Sequence, residues 1–257
     1  IEIMISCRIG NQLLRKPNLM KQTYVFILLT CMLVSCKSIK SLAVKEGNFP
    51  FIGTIGKEQG TVLKTEFTTI GHVVIEKPIA LNIQTIPFTK STFKVYMNVK
   101  ELSGAKSSIT YVDSIATKPS YMLLTIEDRI GLKKSLNNEI NKEVKSYLEK
   151  EADCKLVSSI SVVLNATLVQ ELTSANGLFL MTDTNGLLQI EIVNENQRHT
   201  INLPKNELFD YSLMGVCWGE SLYGKPVIET FNDNGKCPDG TEKDAKKLDE
   251  LQSFLKS

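Results

Sequence analysis

The residues best placed to do chemistry in this chain fall into small sets, and each stops short of a working constellation. Gly219-Glu220-Ser221-Leu222-Tyr223-Gly224 approaches the G-x-S-x-G turn that lifts a nucleophilic serine. Tyr223 stands where the second glycine belongs, however, and no histidine follows Ser221 to act as its base. Gly53-Thr54-Ile55-Gly56-Lys57 ends like a phosphate-binding loop, yet Phe51 fills the first glycine position and Glu58 replaces the hydroxyl residue. Ser103-Gly104-Ala105-Lys106 fits S-x-x-K without its partner motifs S-D-N and K-T-G. The two histidines, His72 and His199, are far apart in sequence and neither has a second histidine nearby. Zinc takes three or four such ligands, so no metal and no cofactor is expected.

Three further sets are read in two ways. Glu127-Asp128 is a carboxylate pair at a strand-to-helix junction, where it reads first as a helix cap. Any two of the 28 acidic residues could still face each other across a cleft. An exported hydrolase of envelope glycan or peptide, its carboxylates unidentified, is therefore the alternative function. Asn232-Asp233-Asn234-Gly235 with Asp239-Gly240 gathers oxygen ligands, but the order departs from a calcium loop and reads as turns. Trp218, the single tryptophan, lies near Tyr211 and Tyr223 in sequence. These types contact sugars and peptides when exposed and fill cores when not, so the three are candidate ligand contacts.

The clearest signal lies near the N-terminus. Met20-Lys21-Gln22-Thr23 is a short positive segment, followed by eleven mostly apolar residues, Tyr24 to Val34. A bilayer-spanning helix needs about 20; the apolar run of an export signal needs about 7–15. Leu33-Val34-Ser35-Cys36 follows at once and resembles the lipobox of bacterial lipoproteins. The resemblance covers residues 20–36 and implies a diacylglycerol thioether on Cys36, cleavage after Ser35, and a membrane-anchored chain in the bacterial envelope. The outer membrane or periplasmic face is the expected location. Cys31 fits less well because Thr30 precedes it. Residues 1–19 lack periodicity and read as an extension upstream of the natural start, and residues 36–50 as a polar tether. Removing residues 1–35 takes four of the 30 basic side chains and one of the 28 acidic ones, leaving 26 against 27. A neutral body points away from nucleic acid and leaves anchoring to the lipid. The expected function is that of a non-enzymatic, exported binding or structural body, and its expected partners are the membrane itself and an envelope protein or glycan.

Export implies an oxidising space. With Cys36 lipidated, Cys154, Cys217 and Cys237 remain for one bridge. Cys154 and Cys237 sit in polar, turn-like sequence and Cys217 in apolar sequence. That contrast favours Cys154–Cys237 ahead of Cys217–Cys237.

These residues must be positioned by a body covering residues 51–257. Its 42% hydrophobic content supports a core, and 23% charged residues is ordinary for a folded chain. Alternation predicts strands at 61–69, 72–75, 79–86, 92–99, 108–112, 121–126, 156–164, 177–181, 187–193, 200–203, 208–218 and 226–231. Asn185-Gly186 is the strongest hairpin signal. The hairpin Met181–Ile190 is similar over ten residues to one in carboxypeptidase-regulatory-like β-sandwich modules, and also fits an ordinary hairpin. Ile140, Val144, Tyr147 and Leu148 at helical spacing predict one mid-chain helix near 133–150. Thr241, Asp244, Ala245, Leu248, Leu251 and Leu255 predict a C-terminal helix near 241–256. Strands, helix, strands, helix is not β-α alternation. The predicted class is α+β, mainly antiparallel β, as a sandwich or two small halves.

Overall fold

The computed structural model describes residues 44–46, 49–60, 64–195 and 197–248. Cys36, the export signal, most of the tether and residues 249–256 of the expected last helix lie outside the described residues. The described body is α+β and mainly antiparallel, as the sequence predicts. Its eleven strands are β1 (Val44–Glu46), β2 (Thr54–Gly60), β3 (Lys64–His72), β4 (Ile79–Pro87), β5 (Ser120–Ile126), β6 (Lys155–Val162), β7 (Gly177–Thr182), β8 (Leu188–Asn194), β9 (Gln197–Ile201), β10 (Leu208–Glu220) and β11 (Pro226–Asn232). The helices are α1 (Lys90–Leu102), α2 (Arg129–Leu136), α3 (Lys142–Lys150) and α4 (Ala166–Thr173), with 3-10 turns at Glu139–Asn141 and Lys205–Glu207.

The strands form one branched sheet instead of two facing ones. The path runs β1-β3-β2-β6-β5-β4-β7-β8-β9, with β10 on β6 and β11 on β10. The branch is at β6. Leu156 pairs with Ile55 of β2 and with Met214 of β10, so these lie on opposite edges. Residues Ser159–Val162 pair with both β5 and β10. It follows that β2 and β5 share one edge of β6, end to end, while β10 takes the other. A strand enclosed this way must be apolar on both faces, and all but the first residue of β6 are buried. Its buried Ser158 is accommodated because its hydroxyl donates to the Ser212 carbonyl at 3.2 Å.

Side chains alternate between two cores, as the strand period of two requires. Met122, Val162 and Leu208 enter the large aliphatic core with Leu132, Leu136 and Leu148 from α2 and α3. Their chain neighbours Tyr121, Val163 and Phe209 enter an aromatic core under α1, around Phe88 and Tyr96. Phe88 meets the rings of Phe93, Tyr96, Tyr121 and Phe209 at centroid distances of 4.9–5.7 Å.

Several sequence expectations are corrected here. Residues 92–99 form part of α1, not a strand. The Thr89 hydroxyl accepts the Thr92 N–H at 3.1 Å and the Thr92 hydroxyl accepts the Thr89 N–H at 2.9 Å, a capping box that sets the helical period. The buried set is Tyr96, Val99 and Lys100, whereas the alternation reading would have exposed Tyr96 and buried Met97. Residues 108–112 are a loop whose Tyr111 stacks on Phe93 at 5.0 Å. Residues 73–75 are irregular: the Val74 and Ile75 N–H groups donate to the side chains of Asn141 and Thr182 instead of to a strand. The single mid-chain helix is two helices broken at 137–141, and α4 lies where no element was expected. The chain begins a helical turn at Lys246, whose N–H donates to Asp244 at 3.1 Å.

Candidate functional site

The break between α2 and α3 is held by two asparagine side chains, and two clefts open beside it. Asn137, just past α2, accepts the Ile228 N–H at 3.1 Å and donates to the Ile228 carbonyl at 2.8 Å. Its amide thus acts as one residue of an extra strand beside β11. Asn141, fully buried, does the same for residue 74: it accepts the Val74 N–H at 2.8 Å and donates to the Val74 carbonyl at 2.7 Å. It also donates to the Ser135 carbonyl at 2.9 Å. Buried backbone groups must be paired somewhere; two asparagines pair them here, and the cost is an interrupted helix.

Between α3 and the β10–β11 hairpin lies a cleft of about 340 Å³, lined by Asn137, Asn138, Glu139, Lys142, Lys145, Ser146, Glu149, Lys225 and Pro226. On the other side of Asn138, a cleft of about 420 Å³ is lined by Glu76, Lys77, Pro78, Asp128, Ile130 and Lys134. In the first, Lys142 pairs with Glu139 at 3.0 Å. Burial holds the Lys145 amine below its ordinary pKa, opposed by Glu149 one turn away. Lys145 and Lys225 make no side-chain hydrogen bond or ion pair among the described residues. In the second cleft Asp128 is spent as the α2 cap, accepting the Gly131 N–H at 2.7 Å, which settles the Glu127-Asp128 pair as a cap. Glu76 accepts from Asn138 at 3.3 Å.

The three aromatic candidates separate. Trp218 and Tyr211 are corrected to core residues: Trp218 is fully buried, and Tyr211 packs edge-on against Phe49 and Phe67. Burial and the nearby Glu58 carboxylate push the Tyr211 phenol above its ordinary pKa. Tyr223 is 88% exposed, beside a fully exposed Leu222, at the tip of the β10–β11 hairpin. Ser221 is a turn residue whose hydroxyl accepts the Lys225 N–H at 3.1 Å. His72 meets the Gly186 carbonyl and His199 the Glu171 carboxylate. In the loop after β11, Asp233 is held by Arg129 through two contacts of 2.8 and 3.0 Å.

The disulfide joins Cys217 to Cys237, and Cys154 is free and buried. This corrects the preference for Cys154–Cys237. Polar flanks misled: Cys154 is buried one residue before β6, whereas Cys217 on β10 reaches Cys237 in the loop after β11. Beside the bridge, Trp218 and Glu242 exchange backbone hydrogen bonds of 2.7 and 2.8 Å, so the loop is pinned twice to β10.

Sequence reasoning missed Lys145, Lys225 and Leu222 as surface features. The available signal was the run of asparagines at 137, 138 and 141 inside a helical pattern. Compared with known proteins, the chain matches no protein-family model, no curated protein and no solved structure. The β7–β8 hairpin extends the branched sheet through β4.

Proposed function

We propose that this protein is a bacterial envelope lipoprotein, anchored through lipid on Cys36, whose β-rich body is a non-enzymatic binding module for an envelope component. One observation carries the reading: Leu33-Val34-Ser35-Cys36 stands directly behind an eleven-residue apolar run that opens with a lysine-bearing segment. Two or three acyl chains hold a protein at a membrane stably, where one chain binds marginally. The near-neutral net charge of the remaining chain leaves stable anchoring to the acyl chains. The Cys217–Cys237 bridge fits an oxidising compartment. The surface that supports the binding role is the cleft beside Lys145 with the exposed hairpin tip at its rim.

Metabolic labelling with a fatty-acid probe tests the anchor. Cys36→Ala is expected to abolish labelling and to shift the chain from the membrane fraction to the soluble one. Labelling that survives the substitution contradicts the proposal.

A further inference from the structure

We infer that the β10–β11 hairpin tip and the adjoining lysine cleft form one seat for an anionic phospholipid, the tip entering the acyl layer and the cleft taking the headgroup phosphate. This deepens the reading above by naming the envelope component, and it rests on that reading for the nearness of a membrane.

Two independent features adjoin here. The first is apolar. Ser221–Lys225 closes a tight turn, with the Ser221 N–H on the Lys225 carbonyl and the Gly224 N–H on the Ser221 carbonyl, both at 2.9 Å. The turn holds Leu222 and Tyr223 out, fully and 88% exposed. Folding gains nothing from two large apolar side chains placed there. Leucine suits the acyl region, and tyrosine, with an apolar ring and a polar end, suits the headgroup boundary.

The second feature is charge. Lys225 leads from the same turn into the cleft, where it joins Lys142 and Lys145 of α3, with Ser146 and Asn138 as neutral donors. The carboxylates there are Glu139, already held by Lys142, and Glu149, which acts on Lys145 through space without a hydrogen bond. Half-buried Lys145 and exposed Lys225 have no hydrogen-bonded anion among the described residues, and a phosphate oxygen supplies one. A protein groove for an apolar helix would pair poorly with these amines. A soluble anion would leave the tip unexplained. A lipid surface answers both.

The test uses the chain as processed by its host, isolated in detergent and reconstituted into vesicles. Tyr223→Trp places a reporter on the tip, and Leu187→Trp places a control on the β7–β8 turn, at a residue 61% exposed. Vesicles are either equal parts phosphatidylglycerol and phosphatidylcholine, or phosphatidylcholine alone, with bromine-labelled acyl chains. After subtraction of the parent chain's emission from buried Trp218, emission from residue 223 is expected to shift blue and be quenched on the anionic vesicles, with weaker quenching on the zwitterionic ones and none at residue 187. Adding Lys145→Ala and Lys225→Ala should lower the ratio of seated to unseated tip by about thirtyfold, roughly fivefold per lysine. An unquenched tip, equal quenching at residue 187, or quenching indifferent to lipid charge and to both lysines overturns the inference. Acylation of Cys36 is read on a different residue, so an acylated chain with a dry tip removes this proposal and leaves the anchor standing.

Discussion

Two lysines of one domain show what distinguishes a structural charge from an available one. Lys100, on α1, is 2% exposed. Its amine meets the Glu207 carboxylate at 2.7 Å, donates to the Asn206 carbonyl at 2.9 Å and lies over the Tyr96 ring. The Tyr96 hydroxyl in turn donates to Glu207 at 3.3 Å and meets the Ser108 hydroxyl at 3.2 Å. Every bond Lys100 needs is supplied from within the chain. It fastens α1 to the turn before β10. Lys145, on α3, is also partly desolvated, but its amine faces an open cleft and carries no such set. A buried charge with its partners built in completes a core; a half-buried one on an open cleft can take a partner from another molecule.

The difference has measurable consequences. Glu207→Ala strands the Lys100 ammonium inside the aromatic core and is expected to cost about 3–5 kcal/mol. Lys145→Ala should change stability by about 0.5 kcal/mol or less. Urea unfolding of both variants checks the contrast, and similar losses would erase it.

The same logic of partners supplied from within applies to the loop after β11. Reducing Cys217–Cys237, or replacing both with serine, frees a link across 20 residues and is expected to cost about 3 kcal/mol. Unfolding measured with and without reductant reads this directly. A null result would mean that the Trp218–Glu242 bridge alone fixes the loop.

Asn141 and Asn138 are a smaller version of the lysine pair. Asn141→Ala unpairs the Val74 N–H and leaves the Val74 carbonyl to the Ser135 hydroxyl alone, for an expected loss of about 2 kcal/mol. Asn138→Ala, on the exposed rim between the clefts, should stay within about 0.5 kcal/mol. Equal losses would show that the helix break is held by something other than the Asn141 amide.

The smallest expected effect is at alkaline pH. The Tyr211 phenol is raised above its ordinary pKa of 10.0 by burial first and by Glu58 second. Its folded pKa therefore exceeds its unfolded one. The stability it contributes is complete below pH 10 and is lost as the pH climbs beyond that toward the folded value. Tyr211→Phe should flatten the decline in stability above pH 10. An unchanged slope would place the alkaline sensitivity elsewhere.

How much of this could be read from the chain depends on how local the deciding force is. Strands β4, β5, β6, β7, β8 and β11 were legible because alternation or a dense apolar run marks them. Asn185-Gly186 marked its turn through backbone conformation alone, and Gly186 does adopt a positive φ of 81°. The α1 helix was misread because Phe93, Val95, Met97 and Val99 also alternate; the capping box at Thr89 and Thr92 decides the period. The mid-chain helix was legible as a stripe of apolar residues. Its break was not, since Asn137 and Asn141 are claimed by Ile228 and Val74, partners 91 and 67 positions away. Trp218 and Tyr211 had the chemistry of contact residues and the burial of core ones, and sequence spacing does not separate those. The cleft escaped notice for the same reason: Lys145 and Lys225 meet only after the sheet has formed.

The mass of the mature N-terminal peptide, taken from material isolated from its native membrane, tests the anchor most directly. The expected result is a chain that begins at Cys36 with a diacylglycerol thioether on its sulfur. A chain retaining the residues before Cys36, with that sulfur unmodified, would contradict it.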